Sequence, residues 1–221
     1  MTRPAFRDPL LRDAAAIGIA VGAFGASYGA LAVASGLSAA QAVATSLLVF
    51  TGASQFAFIG VLAAGGGALA AIPPAALLAV RNGLYGLTLE YLLPAGLRLR
   101  LAVSHLIIDE STAMARAQAD AARGRRALIA TGIAVFVCWN LGTLAGAASG
   151  GIIGDPSRLG LDAMFPAAFL ALLAPQLRRP QAGRIACAGA IAAALLVPVA
   201  PAGVPILGAS LAVLLPRWGR P

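Results

Sequence analysis

The sequence predicts an all-α fold: a polytopic transmembrane helix bundle of about eight spans, forming one domain over residues 1–221. Three observations predict it. Apolar residues make up 60% of the chain and charged residues 11%, with a mean hydropathy of +0.88. A soluble domain carries about 25% charged residues, so this chain has too few to cover a water-facing surface. The apolar residues also fall in blocks of about 20, the length needed to cross about 30 Å of hydrocarbon at 1.5 Å per residue. Finally, arginines separate the blocks. Together these features exclude an ordinary cytosolic enzyme, a disordered regulator and a secreted disulfide scaffold.

The expected spans are 14–35, 39–63, 68–92, 101–120, 127–149, 160–177, 184–201 and 203–216. The first follows a polar start with Arg3, Arg7 and Arg12 and is too long for a signal-peptide core, so no cleavable leader is expected. Ser38 and Asp162 are natural N-caps for the second and sixth. The fourth is weak because His105, Asp109 and Glu110 are costly in lipid. The eighth is short and starts beside Pro201 and Pro205. Gly18, Gly22, Gly25 and Gly29 stripe the first span, and Gly142, Gly146 and Gly150 stripe the fifth; such stripes let helices approach closely. Each glycine span precedes a similar helix start, Gly36-Leu37-Ser38-Ala39 and Gly160-Leu161-Asp162-Ala163. An internal repeat fits this, although the match is short.

The net charge of +8 comes with sixteen arginines and no lysine. With the amino end cytoplasmic, twelve arginines fall in inside segments. Three, Arg98, Arg100 and Arg158, fall outside. That is a positive-inside pattern, with both termini cytoplasmic, rather than a nucleic-acid patch. Cys138 and Cys187 sit in apolar stretches and read as packing residues.

Four clusters carry polar chemistry inside these spans. Thr51, Gly52, Ser54 and Gln55 interrupt the second span. A broken helix there would line a cavity and offer freed N–H groups to a carboxylate; the alternative is that the hydroxyls bond back to their own helix. Arg81, followed by Asn82, lies near mid-span, facing either a substrate carboxylate or an acidic partner. His105, Asp109 and Glu110 suit a proton-coupling group, since burial raises a carboxyl pKa; the alternative is an interfacial, solvated helix. Asn140 and Thr143, beside Trp139, can face one cavity. Arg81 is expected within reach of Asp109 or Glu110. No phosphate loop, dinucleotide fingerprint or nucleophile elbow is present, and a single histidine builds no histidine-rich metal site. No enzyme activity, cofactor, metal or nucleic-acid partner is expected.

The series Gly36-Leu37-Ser38, Phe50-Thr51-Gly52-Ala53-Ser54-Gln55-Phe56, Arg81 with Leu84-Tyr85-Gly86, Asp109-Glu110-Ser111, Trp139 with Gly142-Thr143, and Gly160-Leu161-Asp162 with Phe165-Pro166-Ala167 resembles the AzlC family over about residues 15–178. The resemblance implies the large subunit of a branched-chain amino acid exporter in the bacterial plasma membrane. It also implies a small, separately encoded AzlD-type membrane subunit. The family usually has Asn-x-Arg-His before its Leu-Tyr-Gly; Ala79 and Asn82 stand at the asparagine and histidine positions here. The expected function is export of small hydrophobic amino acids. Thr51–Gln55 and Arg81 would hold the carboxylate, and Asp109 or Glu110 the amine or the coupling proton. Phe50, Phe56 and Phe58 would help line the pocket. The alternatives are an uncoupled, channel-like permease for a small neutral solute and a structural assembly subunit.

Overall fold

A computed structural model describes residues 8–153 and 180–214, together with 163, 170, 173, 174, 177 and 178. The described residues form helices and turns, with no strand among them. The sixth expected span lies almost wholly outside them, as do Asp162 and Arg158.

Helix α1 (Pro9–Ala34) begins where the Asp8 carboxylate accepts the Leu10 N–H at 3.0 Å and Pro9 supplies a preset φ. It ends where Gly36 takes φ +95° and the Leu37 N–H returns to the Ala32 carbonyl at 3.1 Å. Helix α2 (Ala39–Val49) opens with a reciprocal cap: Gln41 N–H to Ser38 Oγ at 3.2 Å, and Ser38 N–H to Gln41 Oε1 at 2.8 Å. Helix α3 (Ala53–Ala63) follows a break at Phe50–Gly52. Next come α4 (Ala68–Thr88), a 3-10 turn at Glu90–Leu92, α5 (Leu97–His105), α6 (Asp109–Arg116) and α7 (Ala121–Ile153). Beyond the undescribed stretch lie α8 (Pro180–Leu196), α9 (Val204–Ser210) and a 3-10 turn at Leu211–Leu214.

Helices α1 and α7 run parallel, packed backbone to backbone through their glycine stripes. A Cβ on Gly18 would lie 2.8 Å from the Ala134 carbonyl oxygen, and one on Gly22 3.0 Å from that of Cys138. Farther along, Gly29 meets Thr143, and Gly142 and Gly146 meet Gly22 and Ala26. The two stripes expected to pack helices thus pack against each other. Asp8 and Arg126 join the helix starts at 2.6 Å.

Helix α4 runs the opposite way. The Leu92 carbonyl, just beyond its end, accepts the Arg125 Nε–H at 2.7 Å. Its first half shares a pocket with Tyr28 and Thr45. Helix α2 starts where α1 ends and descends: Ser46 meets Thr143 at 3.1 Å, then Phe50 meets Phe136 with ring centroids 5.0 Å apart. After Gly52 the chain climbs back, and Phe56 lies against Tyr28 and Trp139. The α2–α3 pair is therefore a hairpin that enters and leaves at one end of the bundle. Helices α5 and α6 form a second hairpin from the other end. Arg100 pairs with Glu90 at 2.9 Å near its base, Leu106 packs on Gly132, and Ala115 returns to Gly124 at the start of α7.

This corrects the eight-span reading. The segments 39–63 and 101–120 are not continuous helices; each reverses about half-way along α7. Eleven residues of α2 span only about 16 Å, half a membrane. Among the described residues three helices are long and apolar enough to cross: α1, α4 and residues 121–149 of α7. Helix α9 with its 3-10 turn falls short of the expected eighth span. The reversal also relocates Arg98 and Arg100. Over residues 8–153, every arginine except Arg81 now lies at the end where α1 and α7 begin, and the turns at 35–38 and 64–67 at the other end carry no charge.

Candidate functional site: two hairpin tips and a pocket

Both hairpin tips are locked by the same device. At the first, the Gln55 side chain reaches back to accept the Gly52 N–H at 3.2 Å. At the second, Ser111 Oγ accepts the Ile108 N–H at 3.0 Å and donates to the Leu106 carbonyl at 2.6 Å. Each uses the third residue of the new helix to satisfy an N–H that the break frees. Thr51 and Ser54 hydrogen-bond each other across the first tip. Gly52 takes φ +59° and ψ −81°, a conformation that L side chains avoid. The break falls at Phe50–Gly52, just before the expected Thr51–Gln55 window closes, so Ser54 and Gln55 occupy the first turn of α3.

The tips meet. The His105 Nε2–H donates to the Leu47 carbonyl at 2.9 Å, one of the last-turn carbonyls of α2 that the break leaves without a helical partner. The same ring lies 5.8 Å from Phe50 and 5.7 Å from Phe136, centroid to centroid. His105 thus ties one hairpin to the other, a contact that sequence spacing did not reveal.

Beside the first tip, α1, α2, α3 and α4 line an open-sided pocket of about 250 Å³. Tyr28, Thr45, Ser54 and Gln55 supply its polar groups. Val49, Phe58, Ile72, Ala75, Ala76 and Ala79 supply the apolar wall. Tyr28 Oη and Thr45 Oγ1 are 2.6 Å apart. Gln55 is 2% exposed, and its side chain interacts with the Tyr28 hydroxyl. Tyr28 and Thr45 escaped the sequence reading; a hydroxyl carried mid-way along an apolar span was the available signal.

The charged cluster sits elsewhere. Arg81 Nη2 pairs with Asp109 Oδ2 at 2.7 Å, and the Tyr85 hydroxyl donates to Asp109 Oδ1 at 2.9 Å. Arg81 and Tyr85 are one helical turn apart and share a face of α4. At about 100° per residue, that face lies roughly opposite the one that carries Ala75, Ala76 and Ala79. The expected meeting of Arg81 with Asp109 is present. The expected union of Arg81 with Thr51–Gln55 in one carboxylate site is not, because α4 separates the two. Asn82 Nδ2 donates to the Ile107 carbonyl at 3.3 Å and so supports the second tip. Glu110 is half-buried beside Asp109.

Asn140 donates back to the Phe136 carbonyl at 2.8 Å, while its Oδ1 is buried without a partner among the described residues. Thr143 is spent on Ser46, joining α7 to α2. Trp139 stacks on Tyr28 with centroids 6.1 Å apart. Among the described residues no three His, Cys, Asp or Glu side chains gather to hold a metal ion.

The AzlC protein family model matches the chain over residues 16–153, the stretch that builds α1, both hairpins, α4 and α7. No curated protein and no solved structure matches it.

Proposed function

Because the chain belongs to the AzlC family, we propose that it is a secondary transporter exporting branched-chain or similar hydrophobic amino acids across the bacterial plasma membrane, driven by protons and assisted by a small AzlD-type membrane subunit. The pair of half-depth hairpins entering from opposite ends carries this reading. Broken backbone at membrane depth is tolerated only where it lines a cavity or is buried in protein, and helix ends meeting at the midplane are where carriers hold solute and coupling ion. The arginine-rich end faces the cytoplasm by the positive-inside rule, which places the amino terminus there; the carboxyl terminus is assigned to the same side.

In this scheme Thr51, Gly52, Ser54 and Gln55 form the solute side of the first tip, and Asn140 lines the approach from α7. Asp109 and Glu110 carry the coupling proton. Arg81 pairs with the Asp109 carboxylate and the Tyr85 hydroxyl donates to it, so both contacts depend on that carboxylate. Asn82 and His105 hold the second tip against the first.

The test is efflux of labelled valine, leucine and methionine from proteoliposomes containing the chain and its small subunit. Efflux should accelerate with an imposed proton gradient, and Asp109→Asn should remove that acceleration while leaving leak exchange. Efflux indifferent to the gradient in the wild type would indicate an uncoupled permease. Absence of efflux of all three amino acids would refute the exporter reading.

A further inference from the structure

We propose that the contact between the two hairpin tips is a gate: the hydrogen bond from His105 to the Leu47 carbonyl, with the rings around it, parts and re-forms each time a solute passes. This deepens the exporter reading and rests on it. Each hairpin is stiff within itself. The first is closed by Gln55 on the Gly52 N–H and by the Thr51–Ser54 bond, the second by Ser111 on Ile108 and Leu106. A hairpin that satisfies its own freed backbone groups moves as a unit and does not unravel.

The hairpins are also anchored to different helices. The first is bonded to α1 and α7, through Thr45 to Tyr28 at 2.6 Å and through Ser46 to Thr143 at 3.1 Å. The second packs on α7 as well, but its polar bonds go to α4: Arg81 and Tyr85 hold Asp109 at 2.7 and 2.9 Å, and Asn82 donates to the Ile107 carbonyl at 3.3 Å. Between the hairpins, one hydrogen bond runs among the described residues, from the His105 Nε2–H to the Leu47 carbonyl at 2.9 Å. Stiff units joined by a single bond separate at that bond first.

The bond is also placed to open. Leu47 is 41% exposed, and His105 is exposed too. A polar ring at mid-depth is costly against lipid, so its open side belongs to a wet vestibule. Water can then replace each partner, and a hydrogen bond exchanged for water changes the energy little. Phe50 and Phe136 flank the ring at 5.8 and 5.7 Å and fill the space around it while the bond holds. The pocket is lined by the part of α4 before Arg81, toward the uncharged end; the Arg81–Asp109 pair lies nearer the arginine-rich end. A solute travelling from end to end passes between them, where the tips touch.

The test is a bridge across the gate. In a Cys138→Ala, Cys187→Ser background, Phe50→Cys and His105→Cys are joined by a short, reducible bifunctional thiol reagent, and the extent of bridging is read from the thiols that remain. In proteoliposomes that hold the full chain and its small subunit, leucine efflux should be lost as bridging proceeds, and reduction should return it. Efflux that survives complete bridging overturns the gate and leaves the exporter reading standing.

A second measurement needs neither bridge nor solute. Under an imposed proton gradient alone, His105→Ala should leak protons where the wild type does not. His105→Gln keeps an N–H donor for the Leu47 carbonyl and should leak less than His105→Ala. A His105→Ala protein as tight as wild type, or His105→Gln leaking as fast as His105→Ala, overturns the gate. Absence of leucine, valine and methionine efflux from the wild type overturns the exporter reading, and the gate with it.

Discussion

Asp109 receives two donors from one face of one helix, so its two variants separate charge from shape. Asp109→Asn keeps a hydrogen-bond acceptor for Tyr85 but leaves Arg81 without its counter-charge. Removing one partner of a buried pair costs about 3–5 kcal/mol. With both side chains near 30% exposed, about 1–3 kcal/mol is expected instead. Tyr85→Phe removes a single neutral donor and should cost about 1 kcal/mol. Thermal unfolding midpoints in detergent check both; equal midpoints for Asp109→Asn and wild type would show that the pair contributes nothing. The pairing of Arg81 with an acid was legible in the sequence, because an unpaired arginine near mid-span is too costly to leave alone. Its separation from Ser54 and Gln55 was not. That depends on which face of α4 packs on α3, and the alanines and prolines of residues 71–79 give no polar side to read.

The first break and the glycine seam are the elements whose geometry tolerates least change. A Cβ at Gly52 would meet nothing closer than 3.8 Å, so Gly52→Ala tests backbone conformation alone. It should cost about 1–3 kcal/mol and lower export, whereas Gly60→Ala, at an exposed helical position with open space, should stabilise or do nothing. At Gly25 a Cβ would lie 2.5 Å from the Trp139 carbonyl oxygen. Gly25→Ala should therefore push α1 off α7 and cost about 1–3 kcal/mol, seen as a lower unfolding midpoint; no change would mean that the helices slide apart freely. The first break was legible from Thr, Gly, Ser and Gln inside an apolar run. The second was hidden behind Leu106-Ile107-Ile108. Asp109 and Glu110 in the first turn of α6 are the usual acidic signature of a helix start, yet within an apolar window they read as costly residues on a continuous helix.

At the scale of the whole molecule, the helical class and the domain's membrane character followed from composition, but the path of the chain did not. A hydropathy window counts apolar residues and is blind to whether the chain turns back, so two hairpins passed for two crossings. The consequence is testable. Single cysteines at Arg98 and Arg123 should be labelled from the same side of the membrane by an impermeant maleimide, and one at Ala64 from the opposite side. Labelling of Arg98→Cys and Arg123→Cys from opposite sides would restore a crossing at 101–120. The meeting of the tips has an electrical consequence as well. If the vestibules on either side admit water and ions, the insulating layer at that point is no thicker than the contact of Phe50, His105 and Phe136. The membrane voltage then falls over those few ångströms instead of the full bilayer. A proton stepping past the tips would feel nearly all of it, about 2.3 kcal/mol per 100 mV, whereas a zwitterion carried the other way would feel almost none.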